Sequence, residues 1–441
     1  MTKKDDNEIK KTTKKVLKEA KQEPKKNVKE QKVNKEETIV KKESNNLVSL
    51  FELIAIIIFI IIVLAFFPGT PIWNIVVLLL ILTVLVFVHE GGHFIAAKKC
   101  GAYVYEFAIG MGPKVLGFKR KNDPTEYTIR AFPIGGYCQI AGEEGEDDES
   151  LSKDQFMCNK SKLQRTIILV AGVTMNFILA IVLLFAISLI FGSTDQSNVI
   201  GQVTPNSPAE KAGVVVGDKI IEYNGYKINN WDKISLAASM KENNYTYIIE
   251  HKDGTQDKYE IKPAEYVQLK DELIEVTKDH TLEEIIKEHN LDKDTKTTKL
   301  VGIGASKEVK HGFKNAISYA FTKFKSIFTT MFIIVWSLIT GKIGLNSLSG
   351  PVGMYSIVGT VATYGIANII YLAAYLSINL GVINILPFPA FDGGRVLFVV
   401  IEAITGKKVD SKIEGWFHTI GFFLLMILML YITFQDVINL F

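Results

Sequence analysis

Apolar and polar positions divide this chain into a polar head, a series of apolar blocks and one long polar interruption. Residues 1–45 are rich in Lys, Glu, Asn and Gln, a composition that cannot bury enough apolar surface to fold, and a disordered basic tail is expected. Apolar runs follow at 47–67, 72–97, 165–191, 362–386 and 417–440. Each is near the roughly 20 residues that cross a hydrocarbon core as a helix. Pro68-Gly69-Thr70-Pro71 turns the chain between the first two. The run Ile327 to Ile339 is shorter and bounded by Lys323, Lys325 and Lys342, so 313–345 is expected to lie on or partly within the interface. Leu348 to Met354 reads as a loop.

Two stretches break the helical pattern. Residues 101–145 alternate weakly and carry Gly110-Met111-Gly112-Pro113 and Gly135-Gly136, which predicts short hairpins. Such backbone at membrane depth must lie against protein or a water-filled cavity, and its open edge can pair with an extended peptide. Residues 199–263 alternate strand-like runs with turns. The segment from Ser207-Pro208-Ala209-Glu210 through Gly217-Asp218 to Asn224-Gly225 resembles a PDZ domain, a peptide-binding module. Residues 264–300 form a polar insert, with Thr281 and Glu284 placed for a helix capping box.

Charge sets the expected orientation. Lys exceeds Asp plus Glu in the tail, and Lys98, Lys99, Lys114, Lys119, Arg120 and Lys121 follow the second apolar run. Arg395, Lys407, Lys408 and Lys412 follow the 362–386 run. Basic loops stay cytoplasmic, so the tail and these two helix ends are expected inside and 199–263 outside. The overall net charge of +3 adds little. The composition, 48% hydrophobic with 22% charged, fits a membrane protein with soluble segments. Three cysteines without CxxC spacing exclude a disulfide framework and a Cys-type zinc site. No cleavable leader is visible.

The candidate chemistry sits at two apolar-run ends. His89-Glu90-Gly91-Gly92-His93 closes the second run. On a helix, positions i and i+4 share a face, so His89 and His93 present two imidazoles to one metal, with Glu90 beside them as a base. The 362–386 run ends in Asn384-Ile385-Leu386-Pro387-Phe388-Pro389-Ala390-Phe391-Asp392-Gly393, where the prolines stop the helix. Parity brings Asp392 to the depth of the two His. Asp-Gly-Gly also makes a good surface turn; beside a spanning HExxH, Asp392 reads instead as a third ligand. A catalytic zinc has three protein ligands and one open position, which His89, His93 and Asp392 supply. Gly135, Gly136, Asn384, Pro387 and Pro389 are candidates for holding a substrate extended, and Asn176 is either a helix-packing or a substrate-facing amide. His251, His280, His289 and His311 read as surface residues, and His418 as interfacial.

With these motifs in place, the chain resembles the site-2 protease family of intramembrane zinc metalloproteases, in the bacterial regulator-of-sigma-E type that carries a PDZ domain. His89 to His93 matches that group's HExGH motif. Asn384 to Gly393 matches its Asn-x-x-Pro-x-Pro-x-Leu-Asp-Gly motif, with Phe391 where Leu is usual. Gly110 to Pro113, Phe132 to Tyr137 and Ser349 to Gly353 also fit, and the likeness covers about residues 73–440.

The resemblance implies a multi-pass protein of the bacterial plasma membrane. It would cut single-span membrane proteins, such as pre-trimmed anti-sigma factors, or remnant signal peptides. Zinc would be the cofactor, the active site would lie near the cytoplasmic leaflet, and the PDZ domain would act as a size filter. The expected partners are those substrates and membrane lipid, not nucleic acid.

The expected architecture is a polytopic α-helical membrane protein with a re-entrant β-hairpin region and one extracytoplasmic β-rich domain. Its parts are the tail 1–45, an extra helix 46–68, a first core half 72–192, the PDZ-like domain 199–263, a polar insert and linker 264–312, and a second core half 313–441. Two other classes remain open: an inactive membrane-anchored PDZ adaptor, and a metal transporter with a midplane His/Asp site.

Overall fold

The computed structural model describes residues 58–143, 148–239, 245–269, 273–277, 280–292, 295 and 297–438. The expected tail, and the first apolar run apart from its helical residues 58–66, lie outside them.

Helix α1 (Pro71–Lys99) starts where the turn signal ends: Thr70 accepts the Trp73 N–H, and Pro71 takes the first helical position, where no N–H is needed. It closes on Lys98 and Lys99. Strands β1 (Val104–Lys119) and β2 (Glu126–Ile140) then fold into a curled antiparallel sheet. Within it, residues 104–109 pair on one side with 136–140 and on the other with 126–129, which also pair with 116–119. The outer edge of 136–140 carries no further strand among the described residues. Asp123 fixes the β1–β2 turn by accepting from Lys98, the Thr125 N–H and the Tyr127 hydroxyl.

Helix α2 (Lys162–Phe191), capped by a Ser161–Gln164 box, runs back along α1. Beyond it lies a separate polar domain. Its sheet has the order β4-β3-β5-β6, from β3 (Lys219–Tyr223), β4 (Tyr226–Lys227), β5 (Thr246–Glu250) and β6 (Gln256–Glu260), with helix α3 (Trp231–Ser239). Ile200, Ile220 and Ile249 fill its core. The chain enters and leaves through short paired strands, Ser193–Thr194 with Val309–Lys310 and Gln202–Val203 with Ile303–Gly304. The segment expected as a polar insert makes its own three-stranded sheet around Ala264–Gln268, and Thr281 and Glu284 do form a capping box for the helix Leu282–Glu288.

Five helices follow: α4 (Phe313–Ile339), α5 (Pro351–Thr363), α6 (Ile366–Ile385), α7 (Asp392–Thr405) and α8 (Ser411–Ile438). Among the described residues, five helices are long and apolar enough to cross a membrane: α1, α2, α4, α6 and α8. Their outward faces stay apolar, Ile427 being 64% and Leu430 66% exposed, as lipid-facing surfaces are. Small residues let α2, α4 and α6 approach closely, with Ala180, Ala320 and Ala374 together in one buried cluster.

One expectation is corrected and a second is left with both alternatives. Leu348 to Met354 is not simply a loop, because Pro351 opens helix α5 as its first residue. The sequence from Phe313 makes one continuous 27-residue helix, so its length and hydropathy suffice for a span. Even so, α4 meets the polar domain near its middle and beyond its end. Lys323 Nζ lies 2.7 Å from Asp232 and Lys342 Nζ 3.2 Å from the Tyr226 hydroxyl.

Candidate metal centre

The centre is built where α1, α2 and the turn after α6 converge. His89 and His93 sit one helical turn apart on the buried side of α1. Close approach to α2 depends on two glycines: a Cβ on Gly92 would lie 2.4 Å from the Ala171 carbonyl oxygen, and one on Gly172 would lie 2.3 Å from His93 Nε2. Opposite, α6 ends at Ile385 and the Pro-containing turn swings back to start α7 at Asp392. Ala390 holds this turn with a left-handed φ of 71°, a conformation that costs a non-glycine residue about 1–2 kcal/mol. His418 of α8 accepts the Ala390 N–H at Nδ1 (3.0 Å), and Gly421 leaves room for Pro389.

Asp392 Oδ2 lies 3.1 Å from His89 Nε2 and 3.4 Å from His93 Nε2, and the two Nε2 atoms are 3.2 Å apart. A buried carboxylate oxygen with no hydrogen-bond donor among the described residues and two imidazole nitrogens thus face one point. Four ligands placed tetrahedrally at about 2.0–2.1 Å from zinc are about 3.3 Å apart, so the donor set fits that ion.

The tautomers fit as well. His93 donates Nδ1–H to the Ile168 carbonyl (2.8 Å), which leaves Nε2 with its lone pair. The Asn176 amide is 3.2 Å from His89 Nδ1 and its Oδ1 is buried with no partner. Turning the amide so that Oδ1 accepts His89 Nδ1–H satisfies both groups and bares the second Nε2. Asn384 Nδ2 reaches to 3.4 Å of that atom.

A cavity of about 730 Å³ opens on this point, lined by Glu90, His93 and Asp392 with the strand Tyr137 to Ile140. Gly135, Gly136, Pro387 and Pro389 do not line it; their neighbours Tyr137, Ala390 and Phe391 do. An ion pair between Arg395 and Glu143 closes part of the rim, and Arg165 with Glu402 (2.5 Å) ties α2 to α7. His418 also lines the cavity, with Nε2 buried and without a partner among the described residues, and so is more than interfacial. His251 is likewise no lone surface residue, since Nδ1 meets Asp218 at 3.0 Å and Nε2 the Tyr259 hydroxyl at 2.9 Å.

Sequence reasoning missed Gly172, the Ile168 carbonyl and His418. Gly172 lay in a small-residue stretch read only as helix packing, and a backbone carbonyl leaves no residue-type signal.

A buried His, His, carboxylate set beside a second carboxylate, within a bundle of membrane-length helices, defines a metal-dependent hydrolase. The sequence profile of peptidase family M50 matches residues 77–428. A Clostridium acetobutylicum protein assigned as a zinc metalloprotease is 36% identical over 366 residues, 83% of this chain and 98% of its own length. The zinc metalloprotease RasP of Shouchella clausii is 31% identical, over 82% of this chain and 98% of its length. The regulator of sigma-W protease RasP of Bacillus subtilis is 31% identical, over 83% of this chain and 99% of its length. The chain belongs to peptidase family M50 and is a zinc metalloprotease.

Proposed function

We propose that this protein hydrolyses peptide bonds in or beside the transmembrane helices of single-span membrane proteins. The observation that carries this reading is the meeting of His89 and His93, in the second half of membrane-length helix α1, with Asp392, which starts α7 just after membrane-length helix α6. The matching metal motif at both ends favours an active enzyme over an inactive PDZ adaptor, and the cavity beside an open strand edge favours a protease over a metal transporter.

Zinc, when bound, acts as a Lewis acid and brings its water's pKa toward about 7. His89, His93 and Asp392 hold it. Glu90 takes the proton of the attacking water and passes it to the amine nitrogen as the C–N bond breaks. Asn384 donates from Nδ2 to the scissile carbonyl side of the site. A helical substrate shields its own peptide bonds and must be unwound. Residues 136–140 offer the free edge on which an unwound segment pairs as an added strand, with Gly136 allowing that strand to lie close to Ala108.

The membrane arrangement follows the same ends. The basic residues after α1 support a metal centre toward the cytoplasmic leaflet, with the polar domain outside. Helix α4 starts beside that domain, and α6 must start on the same side for Asp392 to reach the histidines. Helix α4 therefore lies along the outer interface without crossing, and the β1–β2 sheet re-enters the membrane. The domain between 199 and 310 works as a PDZ-type size filter that admits substrates already trimmed outside. The name of the Bacillus subtilis relative supports a trimmed anti-sigma factor as one such substrate; remnant signal peptides are another.

The test uses purified full-length protein in detergent with a model transmembrane peptide. The wild type should bind zinc and cleave, while Glu90→Gln should bind zinc and not cleave. Equal results from both would favour the adaptor, and zinc flux into vesicles without cleavage would favour the transporter.

A further inference from the structure

A second cavity, of about 500 Å³, lies between the polar domain and α4, away from the metal centre. That size falls in the roughly 300–1,000 Å³ range of small-molecule sites. Every residue that lines it carries a polar side chain. They come from the strand just after α2 (Ser193 to Ser197), the residues before and within α3 (Asn229, Asn230 and Lys233) and one face of α4. Three lysines reach it, Lys233, Lys310 and Lys325, against a single carboxylate, Asp195, which lies 3.9 Å from Lys310. Lys323 is occupied by Asp232. Lys233 and Lys325 form no ion pair among the described residues.

Helix α4 gives this cavity its setting. Asn315, Ser318, Thr322, Lys325 and Thr329 recur at helical spacing and face the cavity. Ala316, Ala320, Ile327 and Met331 form the buried face. The third face, through Phe313, Ile317 and Phe321, is exposed and apolar, Phe321 at 57%. Helix α2 ends alongside in exposed Ile190 and Phe191. A basic polar recess thus opens where two apolar helix surfaces end. Where such apolar surfaces face lipid, the boundary at which they end is the level of the phosphate groups.

The geometry points to a binding site for an anionic phospholipid. Its phosphate sits among Lys233, Lys310 and Lys325, and its acyl chains lie along Phe321 and Ile317. The amide and hydroxyl groups of the walls take the glycerol and phosphate oxygens. Since the lysines come from both the domain and α4, an occupied site fastens the domain to the membrane surface. The domain's position over the protease core then depends on the anionic lipid content of the surrounding leaflet.

The test is native mass spectrometry of full-length protein in detergent, titrated with phosphatidylglycerol or phosphatidylcholine. The probe variant is Lys233→Gln/Lys325→Gln; the control, with equal charge loss on the far side of the domain and insert, is Lys258→Gln/Lys287→Gln. Phosphatidylglycerol should be retained over phosphatidylcholine. The probe variant should weaken it roughly thirtyfold, from about 1 kcal/mol per lysine, with the control near wild type. Equal binding of the two lipids, or equal loss in both variants, would overturn the proposal. So would inorganic phosphate binding as tightly as phosphatidylglycerol, which would make the recess a site for a free anion.

Discussion

Gly172→Ala puts one methyl group at the metal centre without touching a ligand. Its Cβ would stand 2.3 Å from His93 Nε2 and 2.8 Å from His89 Cε1. Ordinary contact starts near 3.4 Å, so the imidazoles must retreat by about 1 Å. Metal sites tolerate about 0.2 Å of ligand displacement, and errors of ligand orientation alone cost about 10–100-fold in affinity. We expect Gly172→Ala to bind zinc at least about 100-fold more weakly than wild type. Overpacking adds about 1–3 kcal/mol of destabilisation, which a thermal melt would register separately. The paired control is Gly91→Ala, where a Cβ meets nothing within 4 Å and affinity should not change. Competition with a chromophoric chelator on detergent-purified protein reads both. Zinc affinity in folded Gly172→Ala within threefold of the Gly91→Ala value would refute the packing of α2 against the two histidines.

Glu90→Gln should keep its zinc and lose about 10²–10⁴-fold in cleavage rate, read on a model transmembrane peptide with metal content measured in parallel. Asn176→Ala should weaken zinc binding by about 10–100-fold, because His89 loses the group that orients its Nδ1–H; Asn176→Asp should retain it. His418→Asn, whose amide oxygen can replace Nδ1 as the acceptor of the Ala390 N–H, should preserve metal affinity better than His418→Ala. Burial works against the ionised form of Asp123, but bonds from Lys98, Thr125 and Tyr127 outweigh it and hold its carboxyl well below the ordinary 3.8. A depressed folded-state value means this stabilisation is present above pH 3.8 and fades as pH falls through the lower value. Limited proteolysis of the β1–β2 turn should therefore stay slow down to about pH 4 in wild type. In Asp123→Asn it should be fast already at neutral pH.

The metal centre was legible in the sequence because its donors are chemically rare where they stand. Two histidines four apart in an apolar run, and one Asp after a Pro-containing helix end, each carry a signal of residue type and place. The groups that orient them do not. Gly172 acts by the absence of a side chain, Ile168 through its carbonyl, and His418 lies 26 residues beyond Asp392 on another helix. The cavity lining is offset from the candidate substrate-side residues for a similar reason. Gly135 and Gly136 mark where the strand can bend and approach, while the cavity is lined by the unremarked residues that follow. Helix α4 was legible only in part: its lysines and hydroxyls interrupt the apolar run and line the polar recess beneath the domain, yet they leave one unbroken helix of 27 residues.

The central claim is that the ends of two distant helices clasp one zinc ion. Zinc-edge X-ray absorption of the purified wild type and of Asp392→Ala tests it directly. The account predicts two imidazole nitrogens and oxygen ligands at about 2.0–2.1 Å in the wild type, and loss of bound zinc in the variant. A sulfur shell at about 2.3 Å, implicating Cys138 at the cavity wall, or an unchanged spectrum in Asp392→Ala, would contradict it.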